Sequence, residues 1–171
     1  MKTKAISEEA ALSQLAALCS SAEHCSYELR EKMRRWELSG DAQERILERL
    51  SRERYFDDER YARAFAHDKV RYNKWGRRKV EQALWMKRID EHIVRQALDE
   101  IEDDVYLEVL RPLLQQKRKS TKAANEYEMR QRLVRFALQR GFDMRVIKQC
   151  MQVNEEDIQC MQVDDEDLLA D

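Results

Sequence analysis

Apolar residues recur at spacings of three and four along most of the 171-residue chain, and where the phase breaks, a capping residue or a glycine stands. That spacing puts one greasy stripe on a helix and predicts helices throughout. Ser7 followed by Glu8 and Glu9 predicts a first helix running to about Ser20, because a hydroxyl can accept a free backbone N–H and carboxylates suit the positive end of the dipole. Ser26 is expected to cap a second helix over 27–38, ended by Gly40. Asp41 with Glu44 resembles a capping box opening a third, with Ile46, Leu47 and Leu50 inward. Asp57 should cap a fourth helix through Tyr61, Ala64, Phe65 and Val70, broken by Gly76; Val80 and Leu84 mark a fifth, and Asp90 caps a sixth with Ile93, Val94 and Leu98. A seventh spans about 105–117, with Pro112 expected to kink it or to mark its real first turn. An eighth over about 123–140 is stopped by Gly141, and Asp143 begins a ninth.

The nine stripes fall into three similar groups. Residues 27–50 match 127–150 at a constant offset of 100: Tyr27, Glu28, Arg30, Arg35, Leu38 and Arg45 recur as Tyr127, Glu128, Arg130, Arg135, Leu138 and Arg145. Trp36/Phe136, Ile46/Val146 and Leu47/Ile147 keep their apolar character, which supports an internal duplication. The middle group is expected to be four residues shorter between its second and third stripes, at 87–89. The fold class is therefore all-α, three tandem three-helix repeats at 1–54, 55–101 and 102–153, each too small to bury its own faces alone. Beyond them, 154–171 is expected to be an acidic tail, and within it a short unit repeats: 149–158 reads almost the same as 159–168.

Composition agrees. With 3 Gly and 1 Pro the chain lacks the punctuation of hairpins, so all-β and α/β folds are excluded, and 39% charged residues against 43% hydrophobic suit thin helical layers. The net charge of -2 is an average over opposing blocks. Residues 60–95 hold 11 Lys/Arg against 4 Asp/Glu, and residues 111–145 hold 10 against 3. Between them, 97–108 has six carboxylates and no base, and 154–171 has eight and no base. Such segregation suits a polyanion or a charged partner.

Residues 1–9 carry no apolar signal-peptide core and no long apolar run follows, so a cytoplasmic protein without membrane contact is expected. Cys19, His24 and Cys25 lack a fourth ligand for zinc, so no metal is assigned and the cysteines are taken as reduced thiols. Three isolated glycines cannot build a phosphate loop, and His24, His67 and His92 stand alone. Asp57, Asp58 and Glu59 are explained by helix capping. No catalytic residue and no cofactor is assigned, and the chain is not expected to be an enzyme.

The informative stretch is 60–88, where Arg60, Arg63, Lys69, Arg71 and the bases that follow interleave with Tyr61, Phe65, Tyr72, Trp75 and Trp85. Bases can track phosphates and exposed aromatics can stack on unpaired bases. Tyr61, Phe65 and Trp85 are nevertheless expected in the core. Around Gly76 the functional reading is preferred, because Lys74, Arg77, Arg78 and Lys79 crowd a helix junction whose loop backbone could also meet an anion.

At these residues the chain resembles the RecX family of bacterial recombination regulators. Tyr55-Phe56-Asp57-Asp58-Glu59-Arg60-Tyr61-Ala62 is similar to the family's signature at the start of its central unit. Gly76 through Leu84, Ile89-Asp90-Glu91, and Ser26 through Met33 resemble further family segments, and the likeness spans about 10–150. Tyr55, Asp57, Asp58, Arg60, Tyr61, Ala62, Gly76 and Leu84 are the signature positions, expected to act mainly in the fold. Arg54 and Arg88 stand where the family often has glycine, so both turns are expected to be reshaped.

The resemblance implies an elongated, curved helical array that lodges as a monomer in the groove of the RecA nucleoprotein filament on single-stranded DNA. There it would oppose filament growth and damp ATP hydrolysis, strand exchange and the co-protease activity behind SOS induction. Arg30, Lys32, Arg35, Arg63, Arg71, Lys74, Arg77, Arg78 and Lys79 are the candidates for contact with RecA or DNA. The alternative is a helical-repeat protein that binds DNA directly, with no RecA role.

Overall fold

The computed structural model describes residues 6–152. The expected acidic tail 154–171, and most of the decapeptide duplication, lie outside these residues. Among the described residues there are nine α-helices and no strand: α1 (Glu8–Ser21), α2 (Ser26–Arg35), α3 (Gly40–Arg52), α4 (Asp58–Arg71), α5 (Arg77–Met86), α6 (Glu91–Asp99), α7 (Asp103–Ser120), α8 (Glu126–Gln139) and α9 (Met144–Met151).

Short polar side chains start several of these helices by accepting N–H groups that have no partner within the helix. Ser7 accepts from Ala10, Asn125 from Glu128, Asp90 from His92, and the Asp57 carboxylate from both Glu59 and Arg60. Two expected starts move. α3 opens at Gly40 under Ser39, whose hydroxyl takes the Ala42 N–H at 3.3 Å, so Gly40 begins a helix instead of ending one and Asp41 is not its cap. α2 opens after Cys25, which supplies no side-chain cap, because the acceptor comes from elsewhere in the chain: Asp58 takes the Ser26 N–H at 2.7 Å and its hydroxyl at 2.6 Å. Pro112 lies inside α7, well past its first turn, on an exposed face where the Glu108 carbonyl left without a helical donor can meet water.

The helix ends reveal the repeat most clearly. α2, α5 and α8 each finish in a left-handed residue followed by an apolar residue and then the cap position of the next helix: Glu37-Leu38-Ser39, Arg88-Ile89-Asp90 and Gly141-Phe142-Asp143. Paired hydrogen bonds close each turn; Leu38 and Glu37 donate to Met33 and Arg34, Ile89 and Arg88 to Leu84 and Trp85, and Phe142 and Gly141 to Ala137 and Leu138. α3 ends the same way at Arg54-Tyr55. Arg54 (φ 59°) and Arg88 (φ 53°) therefore keep the glycine-type turn rather than reshaping it. The three connections are equal in length, so the middle repeat is not shortened there. Instead α8 has 14 residues against 10 in α2 and in α5, one extra turn, which moves the duplication out of its offset of 100 after the start of α8.

The residues divide into two compact units: one holds residues up to Ala66 with Ala83–Leu98, the other His67–Gln82 with Asp99 onward. α4 and α5 thus supply residues to both. In the first, Ala11, Leu15, Leu29, Met33, Ile46, Leu47, Leu50 and Phe56 form one core cluster. In the second, α7 packs on α8 and α9 and buries Leu107, Leu110, Leu114, Leu133, Ala137, Phe142 and Ile147.

Candidate nucleic-acid interface

The second unit holds the turn between α4 and α5. Tyr72, at the end of α4, is 79% exposed, between exposed Arg71 and Lys74. Lys74 is left-handed (φ 58°) and its ammonium reaches back to donate at 2.5 Å to the Arg71 carbonyl at the negative end of α4. Half-buried Trp75 carries the Lys69 and Lys79 ammonium groups 5.2 and 4.9 Å from its ring centre. Arg77 pairs with Asp99 at 2.5 Å, while Arg78 is 71% exposed and lies 3.7 Å from Asp143.

This turn is held from α8. Gly76 donates to the Arg140 carbonyl at 2.7 Å and Arg78 to the Gly141 carbonyl at 3.0 Å, so N–H groups at the start of α5 satisfy carbonyls at the end of α8. Two of the N–H groups expected to face an anion, those of Gly76 and Arg78, are therefore already occupied. Arg140, which sequence reasoning missed, stands 5.1 Å over Phe136 and donates to the Asn73 carbonyl at 3.4 Å. Its only sequence signal was its place just before Gly141, 64 residues from Gly76. Beside the junction, the Tyr106 hydroxyl is buried without a hydrogen-bond partner among the described residues, and burial pushes its pKa up to about 12.

Arg30, Lys32, Arg35 and Arg63 fall in the first unit. Arg30 forms a fork with Glu44 at 2.5 and 3.1 Å, and Arg63 lies 3.9 Å from Glu59. Lys32 is half-buried and Arg35 exposed on α2. Trp85 was expected in the core but is 71% exposed, with Met86 beside it at 72%, because the buried face of α5 is carried by Val80 and Leu84. Tyr61 is buried and stacks with half-buried Phe65 at 5.8 Å.

The signature residues of this unit form a joint. Asp57 caps its own helix and Asp58 caps α2, while Arg60 pairs with Glu23 at 2.7 Å. Ala62 and Leu84 are fully buried, and Tyr55 packs against the core cluster. The Tyr61 hydroxyl donates to Glu28 at 3.0 Å, where Lys87 (2.5 Å) and His24 (2.8 Å) also converge. Burial opposes charge on Glu28, but hydrogen bonds from Lys87, His24 and Tyr61 outweigh it and hold the carboxyl below its ordinary range. Burial, with Glu28 second, drives the Tyr61 hydroxyl upward, and burial pushes the Cys25 thiol up to about 11. Among the described residues no group of three or more His, Cys, Asp or Glu could hold a metal ion, and no helix is long and apolar enough to cross a membrane.

Residues 57–98 match the family model of the second three-helix domain of RecX, and residues 104–151 that of the third. Regulatory protein RecX of Vibrio parahaemolyticus is 30% identical over 88% of this chain and 93% of its own length. The chain belongs to the RecX family. Its relative in Acinetobacter baylyi, also a regulatory protein RecX, is 28% identical over 82% of this chain and 86% of its own length. A crystal structure of regulatory protein RecX superposes with a TM-score of 0.79 at 19% identity, covering 85% of this chain and 73% of that one. RecX from Lactobacillus salivarius gives 0.76, also at 19%, over 85% and 94%. These two show that the all-α repeat fold is the RecX fold. A regulatory role follows from the family, and the basic turn at Gly76 lies inside the segment matched to its second domain.

Proposed function

We propose that the chain binds the RecA filament on single-stranded DNA and mainly inhibits it, opposing filament growth, ATP hydrolysis, strand exchange and the co-protease activity behind the SOS response. It acts in the cytoplasm as a monomer, without a cofactor. What carries the reading is membership of a family of regulatory proteins; what supports the site is the turn 71–79, where Arg71, Lys74, Arg78 and Lys79 share one short segment with exposed Tyr72 and with Trp75, over whose ring Lys79 stands. Arg77, paired with Asp99, serves the same surface. RecA's DNA-dependent ATPase is the test: purified protein, added below stoichiometry at low salt, reduces the rate. An unchanged rate would sink the proposal.

One observation favours direct DNA binding as the second reading. Tyr72, exposed beside Arg71 and Lys74, suits a base stacked over a tracked phosphate on a bare strand. It is distinguished by steeply salt-dependent binding of an oligonucleotide without RecA, together with an unaltered RecA ATPase.

A further inference from the structure

The second unit carries another basic feature away from the Gly76 turn. α7, α8 and the end of α9 border a cleft of about 440 Å³. Arg111, Arg118 and Arg130 line it against one carboxylate, Glu126, which is engaged by Arg118 at 2.7 and 2.9 Å and lies 3.9 Å from Arg130. Three guanidinium groups and one acid leave a net charge of +2. The floor is apolar, from Leu114, Leu133 and Met151. No lining residue is aromatic, so the cleft has no platform for a nucleobase, whereas an acidic peptide with apolar side chains would use both walls and floor.

Such a peptide is present in this chain. Gln152 lines the cleft and is left-handed (φ 52°, ψ 40°), with its N–H on the Lys148 carbonyl, so the backbone leaves the axis of α9 at the cleft itself. The next residues, 153–171, contain eight carboxylates and no base, with Val153, Ile158, Met161, Val163, Leu168 and Leu169 among them. Attachment at the cleft gives this segment an effective concentration on the order of millimolar.

We propose that residues 153–171 dock on the arginine cleft of α7, α8 and α9 of the same chain and mask part of the basic charge of the second unit. The docking is independent of the RecA reading; its consequence, weaker binding of single-stranded DNA, rests on the direct DNA contact of the second reading.

Three full-length chains test it: the natural one, one with the eight tail acids changed to amides, and one with Arg111→Gln, Arg118→Gln and Arg130→Gln. The probe is a fluorescent peptide of residues 153–171, followed by anisotropy. It should bind the amide-tail chain, whose cleft is vacant, at least tenfold more tightly than the Arg→Gln chain, and should lose most of that affinity between about 50 and 500 mM salt, where the Debye length shortens from roughly 14 to 4 Å. In parallel, the amide-tail chain should bind an oligothymidylate at least threefold more tightly than the natural chain at low salt. Absence of peptide binding to the amide-tail chain, or equal binding to both variants, overturns the docking. If the Arg→Gln chain fails to fold by circular dichroism, salt-independent peptide binding to the amide-tail chain overturns it instead. Docking with unchanged oligonucleotide affinity overturns the masking. Neither measurement contains RecA, so failure of the ATPase test leaves the docking result standing.

Discussion

A Cβ on Gly76 would stand 2.2 Å from the Gly141 carbonyl carbon and the Phe142 nitrogen, atoms of a backbone that cannot move aside cheaply. Gly76→Ala is therefore expected to lower unfolding free energy by about 3 kcal/mol, as overpacking against rigid structure does. Gly40→Ala, with nothing within 4 Å of the new carbon, should raise it by roughly 0.5 kcal/mol, both variants being compared by urea titration. Tyr106→Phe removes a buried hydroxyl that has no partner among the described residues and should stabilise by about 1 kcal/mol. Glu28 makes a pH prediction. Its folded pKa lies below its ordinary value of 4.5, so in that window the unfolded chain binds more protons and stability rises with pH. The contribution is complete above about 4.5 and is lost as pH falls through the folded value; Glu28→Gln should flatten the stability profile there, as followed by thermal melts from pH 3 to 6.

At the scale of elements, adjacent acids do separate work. Asp57 serves the start of α4 and Asp58 the start of α2, so Asp57→Ala and Asp58→Ala should each cost about 1 kcal/mol by removing different caps. The double variant should be close to additive by urea unfolding; one shared role would make it strongly sub-additive. Helix ends offer the opposite change. Exposed Arg54 occupies the left-handed position that closes α3, and Arg54→Gly should stabilise by about 1 kcal/mol by relieving the Cβ clash.

For the whole molecule, charge counts less than charge left unneutralised. Arg30 is forked by Glu44, whereas Arg71 and Lys74 stand exposed with no acid within ion-pair distance among the described residues. Reversing Lys74, Arg77 and Arg78 to Glu should weaken binding to single-stranded DNA at least tenfold and reduce the slope of log affinity against log salt by about two. Arg30→Gln should change either quantity by less than about twofold. Equal losses from both would show that the turn is not the privileged surface.

What the chain's residues determined by themselves is local: helical periodicity, the caps at Ser7, Asp57 and Asp90, the threefold grouping and the segregation of charge, because each is written in the order of residues along the chain. Even the family signature was visible as a string of residues. Tertiary structure decided which groups meet. Asp58 lies 32 residues from the Ser26 it caps, and Gly76 is a glycine because of Gly141, a reason invisible along the chain. Trp85 shows the same limit: its spacing suited a core face, but only the packing of α5 through Val80 and Leu84 placed it in solvent. Periodicity tells which residues share a side of a helix; the partner that covers that side, or leaves it open, belongs to the fold.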